Sequence, residues 1–126
     1  MLLAGGLLLL SFSLASKPKI ELTTIDIKSD KVTLHFNADG RLYTGNNIYV
    51  LRIGNKSFKH YSETIKDRKT ELTYNLSPEE YNALNSGDVI WISYGEQIRT
   101  NQLDASKIEK LSQSSNTIWY LGTLTK

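Results

Sequence analysis

From Val32 to Asn37 the side chains alternate, with apolar Val32, Leu34 and Phe36 separated by polar Thr33, His35 and Asn37. Successive side chains of a strand point to opposite faces, so this rhythm draws one oily face and one wet face along a half-buried strand. A helix repeats every 3.6 residues and would scatter the same residues around its axis. The chain is therefore expected to build mainly from strands.

The same reasoning extends along the sequence. Ile20–Lys28 is rich in Ile and Thr and ends in a Ser29-Asp30 turn, so it reads as the strand before Val32. Ile48–Ile53 is almost continuously apolar around Arg52, as for a strand near a sheet centre. Gly54-Asn55 then turns the chain into Lys56–Tyr61, which is expected to pair with it as a hairpin. Glu71–Leu76 alternates again, with Leu72, Tyr74 and Leu76 on one side. Asp88–Tyr94 (DVIWISY) should be the central core strand, and Thr117–Leu124 a last strand, with a further one at Gln97–Thr100.

At two places the period changes. Ser77 suits an N-cap, Pro78 the first helical position, and Glu80 the third residue of a capping box, which predicts about two turns of helix. Tyr81 and Leu84 would face inward and Gly87 would end it. Asp104 is expected to cap a second short helix through Leu111, followed by a polar loop over Ser112–Ser115.

Seven to eight short strands with short connections predict an all-β, mainly antiparallel fold: a single β-sandwich or partly open barrel with one or two short helical turns, behind an N-terminal hydrophobic helix. Between Leu72 and Tyr94 a strand passes a Pro-containing corner, meets Tyr81, and enters a core strand carrying Val89, Trp91 and Ser93. This stretch resembles immunoglobulin-like and fibronectin type III-like modules of exported bacterial proteins, in which Tyr81 would be the corner tyrosine. The resemblance implies a sandwich and is silent on activity.

Residues 2–15 (LLAGGLLLLSFSLA) are uncharged and apolar, and stop before Ser16, Lys17, Pro18 and Lys19. The 14 residues fit a signal-peptide core and fall short of the roughly 20 that span a bilayer as a helix. Ser13 and Ala15 place small residues where cleavage after Ala15 would need them. No basic residue precedes the run, and without a lipobox cysteine a lipoprotein anchor is not expected. The expected division is thus 1–15 as a signal peptide or short membrane anchor and 16–126 as the β-sandwich domain, with the protein exported: periplasmic, extracellular or anchored at the outer face of a membrane.

Catalytic chemistry finds little footing. The absence of cysteine removes disulfides, thiolate zinc sites and thiol nucleophiles. Two histidines, His35 and His60, have no elbow serine or ligand spacing around them. His35, Asn37, Asp39 and Gly40 echo part of a calcium loop, but Asn46 stands where the bidentate Glu belongs. Paired cleft carboxylates and phosphate-cradling glycines are missing too. The expectation is a non-enzyme that needs no cofactor.

A net charge of +2 is too small to imply nucleic-acid binding. Positive charge does gather locally, at Lys56, Lys59, Lys66, Arg68 and Lys69, with His60 among them. Tyr43, in the Asp39–Asn47 loop, and Trp119, beside Tyr120, offer rings for contact. Together these eight residues are the candidate partner-binding set. The expected function is a non-catalytic binding or assembly module of the cell envelope or extracellular space that recognises a protein partner through loops or a strand edge. The alternatives are an anchored accessory subunit of a membrane complex, a carbohydrate-binding module, and an acidic-polymer or glycan contact at the basic segment. A small envelope enzyme is the outsider.

Overall fold

The computed structural model describes residues 17–95 and 104–126. The apolar segment 1–15 and the strand expected at Gln97–Thr100 lie outside the described residues.

Two hairpin-linked strands, β1 (Ile20–Lys28) and β2 (Lys31–Asp39), open the domain around the Ser29-Asp30 turn. In β2 the alternation is realised residue by residue: Val32, Leu34, Phe36 and Ala38 are buried, and the polar residues between them are only partly covered. Then follow β3 (Tyr49–Ile53), β4 (Lys56–Phe58), β5 (Tyr61–Lys66) and β6 (Lys69–Leu76). Helix α1 (Pro78–Asn82) leads to β7 (Val89–Tyr94), and α2 (Ala105–Ser114) to β8 (Ile118–Thr123).

All pairings are antiparallel and form two four-stranded sheets, ordered β1-β2-β6-β5 and β4-β3-β7-β8. The sheets face each other across one apolar layer. Leu34, Phe36, Leu72 and Tyr74 come from the first, and Leu51, Ile53, Ile92 and Trp119 from the second. The sheets do not close into a barrel, so the expected all-β fold resolves as a sandwich.

The capping box forms as the sequence requires. Ser77 Oγ accepts from the Glu80 N–H at 3.1 Å, and the Glu80 carboxylate accepts from the Ser77 N–H at 2.9 Å. Tyr81 and Leu84 are buried beneath it. Asp104 caps α2 by accepting from the Lys107 N–H at 2.9 Å.

Two expectations need correction. The strand expected over Lys56–Tyr61 stops at Phe58, and Tyr61 opens β5 in the other sheet. Phe58 and Tyr61 both pack on the core, yet residues three apart on one strand point to opposite faces, so the chain must break between them. The polar loop expected at Ser112–Ser115 is mostly helix. Ser112 and Ser114 donate back to carbonyls of Glu109, Lys110 and Leu111, which lets hydroxyl residues sit in a last helical turn.

Helix α2 has a further consequence. Ile108 and Leu111 pack with Trp91, Ile118 and Tyr120 on the outer face of β7 and β8, so that part of the second sheet has apolar neighbours on both sides.

Candidate functional site

The eight candidate residues divide into three groups. The first gathers at one end of the sandwich. Lys66 and Lys69 face each other across the β5–β6 hairpin, and Asp67-Arg68 forms its two-residue turn with φ of 50° and 68°. Positive φ at both positions is the conformation that matches the twist of the flanking strands. The Gly40 N–H donates to the Arg68 carbonyl at 2.9 Å, and Thr70 Oγ1 donates to the Gly40 carbonyl at 3.1 Å. These bonds tie the hairpin to the 40–48 loop, which carries Tyr43 and exposed Arg41. Tyr43, Lys66, Arg68 and Lys69 therefore share one end, although 23 positions separate Tyr43 from Lys66 in sequence.

The second group lies elsewhere. Lys56 opens β4 opposite Ile53, at the end where α1 and the β3–β4 turn sit. Lys59 and His60 lie in the crossing between the sheets, beside Asn75 and Glu80. The basic segment is thus not one patch, because the chain changes sheets in its middle.

Trp119 is the third case and a correction. It is 4% exposed, and its indole N–H donates to the Pro18 carbonyl at 2.7 Å. In β8 it points into the sandwich while Tyr120 takes the outer face, so Trp119 offers no contact surface. Tyr43 is partly buried too, with its ring 5.7 Å from Tyr94 and 6.2 Å from Trp119. Among the described residues the large hydrophobics left exposed are Ile27, Ile48 and Ile65, whereas the rings of Phe58, Tyr61, Tyr94 and Tyr120 are partly buried.

Two features were left unplaced or unseen by sequence reasoning. One is the strand edge, expected without a location, which lies open at β5, where Ser62 through Lys66 are all exposed and Ile65 is 55% exposed. A two-residue hairpin hydrogen-bonds its closing pair, here Lys66 and Lys69, and every second pair below it. The backbone groups of Glu63 and Ile65 therefore point away from β6. The three-residue β4 opposite is too short to cover Ile65. The hint in the sequence was an apolar residue alternating within TIK.

The other feature is Lys17. Its ammonium donates to the carbonyls of Ser112 at 2.6 Å, Ser115 at 3.0 Å, and Ile118, and lies 5.3 Å from the Trp119 ring centre. Burial lowers its pKa from the usual lysine value. Next to it Lys19 pairs with Glu21 at 2.7 Å, and this bond raises the lysine pKa and lowers that of the carboxyl.

On the outer face of the first sheet, His35 Nε2 lies 3.1 Å from Asp26 Oδ2, and Thr73 Oγ1 lies 3.3 Å from His35 Nδ1. The order resembles a relay of acid, base and hydroxyl. His35 and Thr73 stand on the two central strands of the sheet, whose N–H groups are committed to the ladder on both sides. Asn37 and Asp39 follow His35 on this face of a regular strand, so the partial calcium pattern does not fold into a loop. Among the described residues, no three metal-ligating side chains converge, and no helix is long and apolar enough to cross a membrane. No protein family, curated protein or solved structure matches this chain.

Proposed function

We propose that this chain is an immunoglobulin-like binding module of the cell envelope that recognises a protein partner by accepting a strand at the β5 edge. The observation that carries the reading is the edge itself: six residues long, unbulged, flanked by Lys66 and Lys69, and presenting the backbone of Glu63 and Ile65 next to an uncovered isoleucine. Such an edge is a template for an extended partner segment, with main-chain hydrogen bonds giving affinity and side-chain seats giving selectivity.

The strand order supports the immunoglobulin-like assignment. Labelled A to G with C′, the sheets read ABED and C′CFG, the layout of that sandwich class. Tyr81 lies at the E–F connection, where a corner tyrosine belongs. The apolar segment 2–15 supports the envelope assignment.

The test separates edge from ladder. Ile65→Pro deletes an outward-pointing N–H and leaves the β5–β6 bonds intact, whereas Thr64→Pro deletes a ladder donor. A photo-crosslinker at Ser62 should trap one dominant partner in cells. Ile65→Pro should abolish that adduct while the purified variant keeps its cooperative unfolding. An adduct unchanged by Ile65→Pro would remove β5 as the docking edge.

A further inference from the structure

We infer that the sandwich end carrying Arg41, Lys66, Arg68 and Lys69 docks on anionic lipid headgroups. The inference rests on the reading of residues 2–15 as a segment that inserts into a membrane.

Its first ground is how tightly the start of the domain is fixed. The Lys17 ammonium is held by three carbonyls, Pro18 by the Trp119 indole, and the Lys19 carbonyl by the Asp39 N–H at 2.9 Å. Only Ser16 stands between Ala15, the last apolar residue, and Lys17. Two residue steps span at most about 7 Å of extended chain. Whatever residues 2–15 enter must lie against this end of the domain, with no linker to let the body swing away.

The second ground is charge. Lys17, Lys19, Arg41, Lys66, Arg68 and Lys69 cluster here against Glu21, Asp39, Asp67 and Glu71, six cations to four carboxylates. Lys19 is already paired with Glu21, so the excess falls on exposed Arg41, Lys66, Arg68 and Lys69. At the opposite end, Lys28, Lys31, Lys56, Lys59 and Lys126 are matched by Asp26, Asp30, Glu79, Glu80 and Asp88. A nine-residue strand is about 30 Å long, about four Debye lengths at physiological salt, so a headgroup layer attracts one end and does not reach the other. Docked this way, the sandwich stands on its cationic end and leaves the β5 edge open to the side.

The test uses the full chain, whose lack of cysteine allows single fluorophores to be placed at will. Thr44→Cys labels the cationic end and Asn55→Cys the far end. Each labelled protein is reconstituted into vesicles of phosphatidylcholine and phosphatidylglycerol carrying a headgroup quencher. Quenching at position 44 and not at 55 is expected. Adding Arg68→Gln and Lys69→Gln should weaken docking about fivefold per charge removed, and salt should do the same. Equal quenching at both positions, or stronger quenching at 55, overturns the docking while flotation with the vesicles leaves the anchor reading standing. Quenching at 44 that ignores both neutralisation and salt reduces the contact to a tether and overturns the headgroup interaction. Failure to float overturns the anchor reading and the docking together.

Discussion

The two sheets treat their outer faces in opposite ways. On β1-β2-β6-β5 that face is a field of short polar side chains bonded to one another, such as Thr33 Oγ1 to Asn75 Oδ1 at 3.0 Å and Thr73 to His35. On β4-β3-β7-β8 it is a second apolar layer, in which Val50, Trp91 and Ile118 are at most 2% exposed. There Arg52 is 6% exposed, with its guanidinium 5.2 Å from the Trp91 ring and its Nε donating to Ser93 Oγ at 3.2 Å. The difference explains the two sequence textures. A sheet with one wet face needs strict alternation, whereas strands buried on both faces need runs such as VIWISY. Stability should therefore depend on the outer face of one sheet and hardly at all on that of the other.

The largest expected effect tests this contrast directly. Trp91→Ala removes a fully buried ring from the outer layer and should cost about 3–5 kcal/mol in urea unfolding. Thr33→Ala, on the outer face of β2, should stay within about 0.5 kcal/mol. Similar losses at both sites would mean that the α2-covered layer contributes no more than the wet face does.

Next in size is the seam between the sheets. Tyr74 of β6 donates its hydroxyl to the Tyr49 carbonyl of β3 at 2.7 Å, and burial raises the pKa of both phenols. The folded state holds these protons after the unfolded chain, at pKa about 10, has released them. Stability is thus intact below pH about 10 and falls as pH rises above it, by up to about 1.4 kcal/mol per pH unit for each tyrosine. Lys17 works the other way. Its lowered pKa means that the unfolded chain holds the extra proton, so its contribution rises as pH approaches the ordinary lysine value. Urea titrations at stepped alkaline pH should show the net loss, and Tyr74→Phe should flatten it by one tyrosine's share. An unchanged slope in that variant would show that the seam does not govern alkaline unfolding.

Local chemistry was legible in the sequence wherever it was self-contained. Ser77, Pro78 and Glu80 specified α1 because a capping box is closed within four residues, and Ser77→Ala should cost about 1 kcal/mol by thermal or urea unfolding. The β2 alternation likewise specified its own burial. What escaped was set by partners distant in sequence. The facing of Trp119 depends on Pro18, about a hundred positions away, and the break after Phe58 depends on which core surface each ring meets. Of the candidate site, Lys66, Arg68 and Lys69 were visible as charge. Their union with Arg41 and Tyr43 came only through the bonds between Gly40, Thr70 and the Arg68 carbonyl. Lys17 could not be singled out, because three carbonyls leave no mark on a sequence.

The smallest expected effect contrasts the turns of the two sheets. The β3–β4 turn starts with Gly54 at φ 60°, where a Cβ would come within 2.9 Å of the Asp88 carboxyl, so both the backbone and the neighbouring side chain favour glycine there. The β5–β6 turn holds Asp67 and Arg68 at positive φ, where glycine would be less strained. A left-handed non-glycine residue costs about 1–2 kcal/mol, and glycine's greater freedom when unfolded gives back about 0.5–1 kcal/mol. Arg68→Gly should therefore stabilise the domain by up to about 1.5 kcal/mol, read as a small rise in urea midpoint. The same variant should weaken headgroup docking about fivefold, since it removes one cation from the tip of the hairpin. A gain in stability with weakened docking would show that the arginine stands there for its charge, against the preference of the backbone. A loss of stability would show instead that the Arg68 side chain helps to hold the turn, and the two hairpins would then differ in packing and not in purpose.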